Sequence, residues 1–148
     1  MPYTAAVTLE ILRMSSLAPF GVVHSTLEDV TFHSYRIPKD TIIMANLYAV
    51  HNDKEIWGDP ETFGPERYLT KDGKEIDKNH PKVIPFSIGK RQCLGEVLAR
   101  NNIFLFLTSL FQRFDILEAA GANVGTPRAG VFRFPAPFKV VFHDRQQK

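Results

Sequence analysis

The segment from Phe86 to Gly95 reads Phe-Ser-Ile-Gly-Lys-Arg-Gln-Cys-Leu-Gly and holds the chain's one cysteine, just ahead of an apolar run that begins at Leu94. One cysteine excludes an intramolecular disulfide, so Cys93 is a ligand, a nucleophile or an inert core thiol. Gly89 and Gly95 remove side chains where another group must approach the backbone closely. A helix opening at Leu94 places Cys93 at its first turn, where backbone N–H groups and the positive end of the helix dipole favour thiolate. Lys90 and Arg91 push the same way. The segment reads as a ligand loop, and the rest of the chain as its support.

At 148 residues, with 44% hydrophobic residues and 12 phenylalanines, the chain has the size and content for one domain with a core rather than a disordered segment. Its 18 Lys and Arg against 16 Asp and Glu give +2, and the charges are interspersed, so no basic stripe points to nucleic acid. The tail from Arg145 to Lys148 reads as a frayed end rather than a binding arm. A single free thiol fits a reducing, cytosol-facing location. The opening Met1-Pro2-Tyr3-Thr4 lacks the profile of a signal peptide, and the longest apolar run, Ile103 to Phe111, is too short to span a bilayer.

Apolar residues from Tyr3 to Ser15 recur at helical spacing, which predicts a helix with Glu10 and Arg13 on one face. Ala18 to His24 reads as a turn entering a short apolar strand. Asp29 to Ile37 predicts a hairpin closed near His33-Ser34, and Thr41 to Leu47 a buried strand. Tyr48 to Lys54 suits one or two helical turns. From Ile56 to Pro85, prolines and glycines make a long loop with a hairpin-like tip at Lys71 to Glu75, pinned by Trp57, Phe63, Arg67 and Tyr68. Leu94 to Phe111 is apolar around most of a helix and calls for burial against a large partner surface. Phe114 to Glu118, and Val131 to Phe142 around a Pro135-Ala136-Pro137 turn, predict a terminal β-hairpin.

Other chemistries for Cys93 fit less well. Zinc needs several N or S ligands, and His24, His33, His51, His80 and His143 show no paired spacing. A phosphate loop is excluded, because Gly89-Lys90 is followed by Arg91 and position 84 is Ile rather than Gly. A cysteine nucleophile with one of the histidines as its base stays open.

Phe86, Gly89, Arg91, Cys93 and Gly95 match the haem-binding signature F-x-x-G-x-R-x-C-x-G position for position, and the chain resembles the cytochrome P450 haem-thiolate monooxygenases. Pro65-Glu66-Arg67-Tyr68 resembles the family's P-E-R-F segment, and Glu10 with Arg13 its E-x-x-R helix. Leu17 to Asp53 resembles the animal microsomal members. The resemblance implies a mainly α fold with small β-sheets (α+β), of which this chain is the carboxy-terminal part. Residues 1–16 would be the E-x-x-R helix, 17–55 a β region, 56–85 the long loop, 86–95 the haem-ligand loop, 94–113 a helix and 114–148 a terminal β region.

By that resemblance, Cys93 is the thiolate ligand of haem iron and Phe86 shields the sulfur. Gly89 and Gly95 admit the porphyrin, and Arg91 and His24 contact the propionates. Glu10, Arg13 and Arg67 form a buried structural network. Ala18 to Val23 and Ala129 to Phe132 touch a lipophilic substrate, with core packing an equal reading for Val22 and Val131. A flavoprotein reductase would meet Lys90 and Arg100. The full-length parent would sit at the cytosolic face of the endoplasmic reticulum membrane. A family domain is roughly three times this length, so the expected chain lacks the membrane anchor and the distal oxygen-activating helix. Two readings follow: a monooxygenase inserting one atom of O2, and a non-catalytic haem-binding fragment with large exposed apolar patches.

Overall fold

A computed structural model describes residues 1–121, 125–128 and 130–147. Helix α1, Pro2–Ser15, opens with proline in its first turn, where a missing N–H costs nothing. It closes on Ser16 in the left-handed region at φ 35°, with the Ser16 N–H donated to the Leu12 carbonyl. Its buried residues are Ala6, Thr8, Glu10, Leu12 and Arg13, so charged groups share the face it turns inward.

Three two-stranded antiparallel sheets are present among the described residues. Strand β1 (His24–Ser25) pairs with β4 (Ile42–Ile43), and an isolated bridge between Phe20 and Asn46 prolongs that ribbon. Strands β2 (Val30–Phe32) and β3 (Tyr35–Ile37) form the expected hairpin, turning at His33 with φ 51°. The 41–47 stretch departs from expectation. Only Ile42 and Ile43 are strand, Ile42 is 70% exposed, and Leu47 is buried as the first residue of a helix. The reason is that this narrow ribbon has no second layer on it, so its apolar side chains face outward.

Helices α2 (Leu47–His51) and α3 (Lys54–Trp57) are each opened by a side chain. Asn46 Oδ1 accepts the Ala49 N–H at 3.0 Å, and Asp53 Oδ1 accepts the Glu55 N–H at 2.8 Å. The long loop then carries a 3-10 turn at Pro65–Tyr68 and the predicted tip, closed by a Leu69 to Ile76 bridge with Gly73 at φ 71°. Trp57 and Tyr68 pin it from the core, whereas Phe63 is 50% exposed and lies outside the core cluster. Buried Ala6, Leu12, Trp57, Tyr68 and Val83 form the core cluster, with Phe86 and Ile103 packed on its edge.

Helix α4, Glu96–Arg113, begins three residues after Cys93, with Gly95 at its N-cap. Cys93 is therefore in the loop before the helix rather than in its first turn. None of the α4 residues is buried. Its last turns and the start of α1 frame an open groove of about 670 Å³ lined by Tyr3, Val7, Leu107 and Phe111.

The terminal hairpin is also corrected. Strand β5 (Phe114–Glu118) pairs with β6 (Val140–Asp144), running from Phe114 opposite Asp144 to Glu118 opposite Val140. The prolines at 135 and 137 lie in the connection, where among the described residues the one isolated bridge joins Arg128 to Phe134, because proline withholds a ladder donor. Residues Arg145–Gln147 form a 3-10 turn, and Arg145 Nε bonds Asp115 Oδ1 at 2.7 Å. Lys148 lies outside the described residues, as does Ala129 of the expected substrate contact; Val131 of that stretch is 81% exposed and Val22 57%, so neither is core.

Candidate functional site

The loop carrying Cys93 is built on backbone contacts. Ser87 N–H donates to the Ile84 carbonyl at 3.1 Å, and Cys93 N–H donates to the Phe86 carbonyl at 2.9 Å, folding the segment back on itself. Ser87 at φ 64° and Gly89 at φ 80° supply the two left-handed residues of the reversal. Residues Gly89–Arg91 form a single 3-10 turn. A Cβ on Gly95 would lie 3.9 Å from Cys93 Sγ, so glycine there keeps one flank of the sulfur open.

Cys93, Gly89, Arg91 and Gly95 are all exposed, whereas Phe86 is half-buried against the core. Arg100 lies over the Phe86 ring, its Cζ 5.3 Å from the centroid, and its Nε bonds Glu96 Oε1 at 2.7 Å. Gln92 donates to the other Glu96 oxygen. Partial burial pushes the Glu96 carboxyl up, yet the Gln92 and Arg100 hydrogen bonds outweigh it and hold it below the usual carboxylate range. His24 is exposed on β1, in a sheet separate from the loop.

On the core side of the loop, Glu10, Arg13 and Arg67 come together. Arg13 Nε and Nη2 each meet a Glu10 carboxylate oxygen at 2.8 Å, and the remaining donors reach the His51 carbonyl at 2.7 Å and the Pro60 carbonyl at 2.8 Å. Arg67 Nε stands 3.3 Å from Glu10 Oε1 and also bonds the Gly64 carbonyl, while Nη1 takes the Trp57 carbonyl and Nη2 the Thr62 carbonyl. Burial raises the Glu10 pKa, but hydrogen bonds from Arg13, Tyr68 and the Gly64 N–H bring it below its ordinary value. Burial pushes the Tyr68 hydroxyl up, and its bond to Glu10 Oε2 at 2.6 Å adds to that.

Sequence reasoning missed three members of this cluster. Tyr68 stood out as a pinning aromatic and in the P-E-R-F-like segment, His51 as a failed zinc candidate and one of five possible bases, and Ser16 not at all. All three are essentially fully buried. An acidic, a basic and an aromatic residue from distant segments converge here, and no local spacing encodes that convergence.

The cytochrome P450 family model matches residues 1–142. This chain belongs to the cytochrome P450 family. It is 43% identical over 133 residues to cytochrome P450 1A1 of Limanda limanda, a match covering 88% of this chain and 26% of that protein. Cytochrome P450 1A2 of Canis lupus familiaris is 45% identical and that of Oryctolagus cuniculus 44% identical, with the same coverage. The chain spans about a quarter of the length of the curated relatives it matches. The small sheets and dominant helices fit the α+β architecture of a P450 carboxy-terminal portion, and relatives from fish and mammals agree with the animal subgroup expected from Leu17 to Asp53. Among the described residues, no helix is long and apolar enough to cross a membrane.

Proposed function

We propose that Cys93 is the thiolate ligand of a haem and that the chain supplies the proximal side of a monooxygenase acting on a lipophilic small molecule. One observation carries this reading: the exposed Cys93 sits in a backbone-braced loop that turns through Gly89 at positive φ and has Gly95 beside the sulfur. The donor set fits the group, since a soft thiolate suits iron and a nearby exposed guanidinium suits a propionate. Haem held by thiolate supplies an electron-rich iron that favours O–O cleavage.

In this reading the chain's residues hold rather than react. Cys93 ligates the iron and Arg91 pairs with a propionate. Phe86 keeps water from the core side of the sulfur. His24, exposed on β1, would contact a propionate as well. Glu10, Arg13 and Arg67 lock α1 to the long loop. Val22, Val23 and Phe132, all more than half exposed, are the apolar contacts for substrate, and Lys90 with Arg100 offers positive charge to an acidic reductase face. The proposed address of the full-length protein is the cytosolic face of the endoplasmic reticulum membrane.

A second reading, haem binding without turnover by these 148 residues alone, is favoured by the exposure of α4. Val97, Leu98, Leu105 and Phe106 are each more than half exposed. Reduction under carbon monoxide separates the possibilities. Wild type loaded with haem should give the red-shifted Soret band of thiolate ligation, and Cys93→His should lose the red shift. Identical spectra for wild type and Cys93→Ala would remove Cys93 from the site. Product formation with a reductase and a lipophilic substrate would sink the second reading.

A further inference from the structure

His51 is completely buried, yet it belongs to no ion pair and to none of the roles above. Its ring is held between a side-chain hydroxyl oxygen and a backbone N–H. Ser16 Oγ donates its one proton to the Arg13 carbonyl at 2.7 Å, so toward His51 Nδ1, 2.9 Å away, it accepts. At the other edge Nε2 lies 3.0 Å from the Ile84 nitrogen and accepts its N–H. The ring is therefore neutral, protonated at Nδ1, and an N–H at Nε2 would face another N–H. Arg13 of α1 is the charged group whose field reaches the ring, and together with burial, the larger cause, it keeps the imidazole from gaining a proton above about pH 4.

The contact matters because of where Ile84 stands. Its carbonyl accepts from Ser87, Pro85 follows with its φ locked by the ring, and Phe86 then presents the carbonyl that holds the Cys93 N–H. We infer that His51 is a positioning residue for the cysteine loop, an imidazole strut that fixes Ile84 against the end of α1 and so sets the placement of Phe86 and Cys93. The functional consequence rests on Cys93 as the haem ligand, but the strut itself does not.

Amide hydrogen exchange in the full 148-residue chain without haem tests it. His51→Phe keeps the volume and removes the acceptor, and should speed exchange at the Ile84 and Cys93 amides at least tenfold while the β5–β6 ladder keeps its rates. His51→Gln, which retains an acceptor and a donor, should fall between the two. Wild-type rates at the Cys93 amide in His51→Phe overturn the inference. Should that variant fail to fold, nitrogen NMR of the wild-type imidazole decides: protonation at Nδ1 at neutral pH supports the strut, and protonation at Nε2 overturns it. If haem-loaded wild type lacks the thiolate spectrum while the exchange pattern holds, the ligand reading falls and the strut stands.

Discussion

Glu10 takes part in four hydrogen bonds, and all of its partners arrive from elsewhere in the sequence or from the next turn of α1. Two come from Arg13, one each from the Gly64 N–H and the Tyr68 hydroxyl, with Arg67 adjacent. Removing Glu10 leaves Arg13 buried without its counter-ion, and removing Arg13 leaves Glu10 buried with only Arg67 as a counter-charge. Glu10→Leu or Arg13→Leu should each destabilise the chain by about 3 to 5 kcal/mol in urea unfolding, and the double variant should lose clearly less than the sum of the two. Gly64→Ala should also destabilise, since the added Cβ would lie 2.9 Å from Arg67 Nη2. Two buried groups set the acid limit. The folded pKa of His51 is depressed from 6.5 to about 4, so the unfolded chain binds the extra proton and stability falls as pH drops through that window. The lowered Glu10 pKa adds a further loss at lower pH still, as its carboxylate is protonated. Unfolding midpoints measured between pH 7 and pH 3 should decline monotonically, and His51→Gln should flatten the decline between pH 6.5 and 4.

The elements differ in how they are held. The short helices α2 and α3 depend on their caps, so Asp53→Ala should cost about 1 kcal/mol in the same unfolding measurement. The carboxy end of α1 is held from far away. Arg133 Nη1 bonds the Met14 and Ser15 carbonyls at 3.3 and 3.1 Å, its N–H takes the Leu17 carbonyl, and its guanidinium lies 4.4 Å over Tyr48. A cation at the negative end of a helix is favourable, and Arg133→Ala should loosen the last turn of α1, read as faster exchange at Ser15 and Ser16. Caps, turn residues and helix periods lie within a few residues of one another, which is why α1, the β2–β3 hairpin and the Lys71 to Glu75 tip were legible in advance. The partner of β5 was not, because pairing Phe114–Glu118 with Val140–Asp144 depends on closing a long connection whose prolines cannot join the ladder.

Over the whole molecule, surface outruns core. The chain exposes 11272 Å², whereas a compact monomer of its mass exposes roughly 7,700 Å². Exposed large apolar side chains fall along α4, the β1–β4 ribbon and the stretch from Val131 to Phe142. Such a surface binds hydrophobic dyes and promotes association. Phe106→Lys, at a position 71% exposed, should raise soluble yield and lower dye fluorescence while leaving the unfolding midpoint within about 0.5 kcal/mol. An unchanged dye signal would mean that α4 is covered in solution.

The sequence by itself determined which loop carries the family's signature, since five signature residues lie within ten positions, and it determined the Glu10 and Arg13 face of α1, since helical spacing alone puts them together. The tertiary structure decided where Cys93 stands relative to α4, which apolar segments stay uncovered, and that His51, Ser16 and Tyr68 join the buried cluster. The difference is one of range. Spacing within a segment is carried by the covalent chain, but a buried polar side chain takes whichever distant backbone group desolvation forces it to satisfy, and only the folded arrangement supplies that partner.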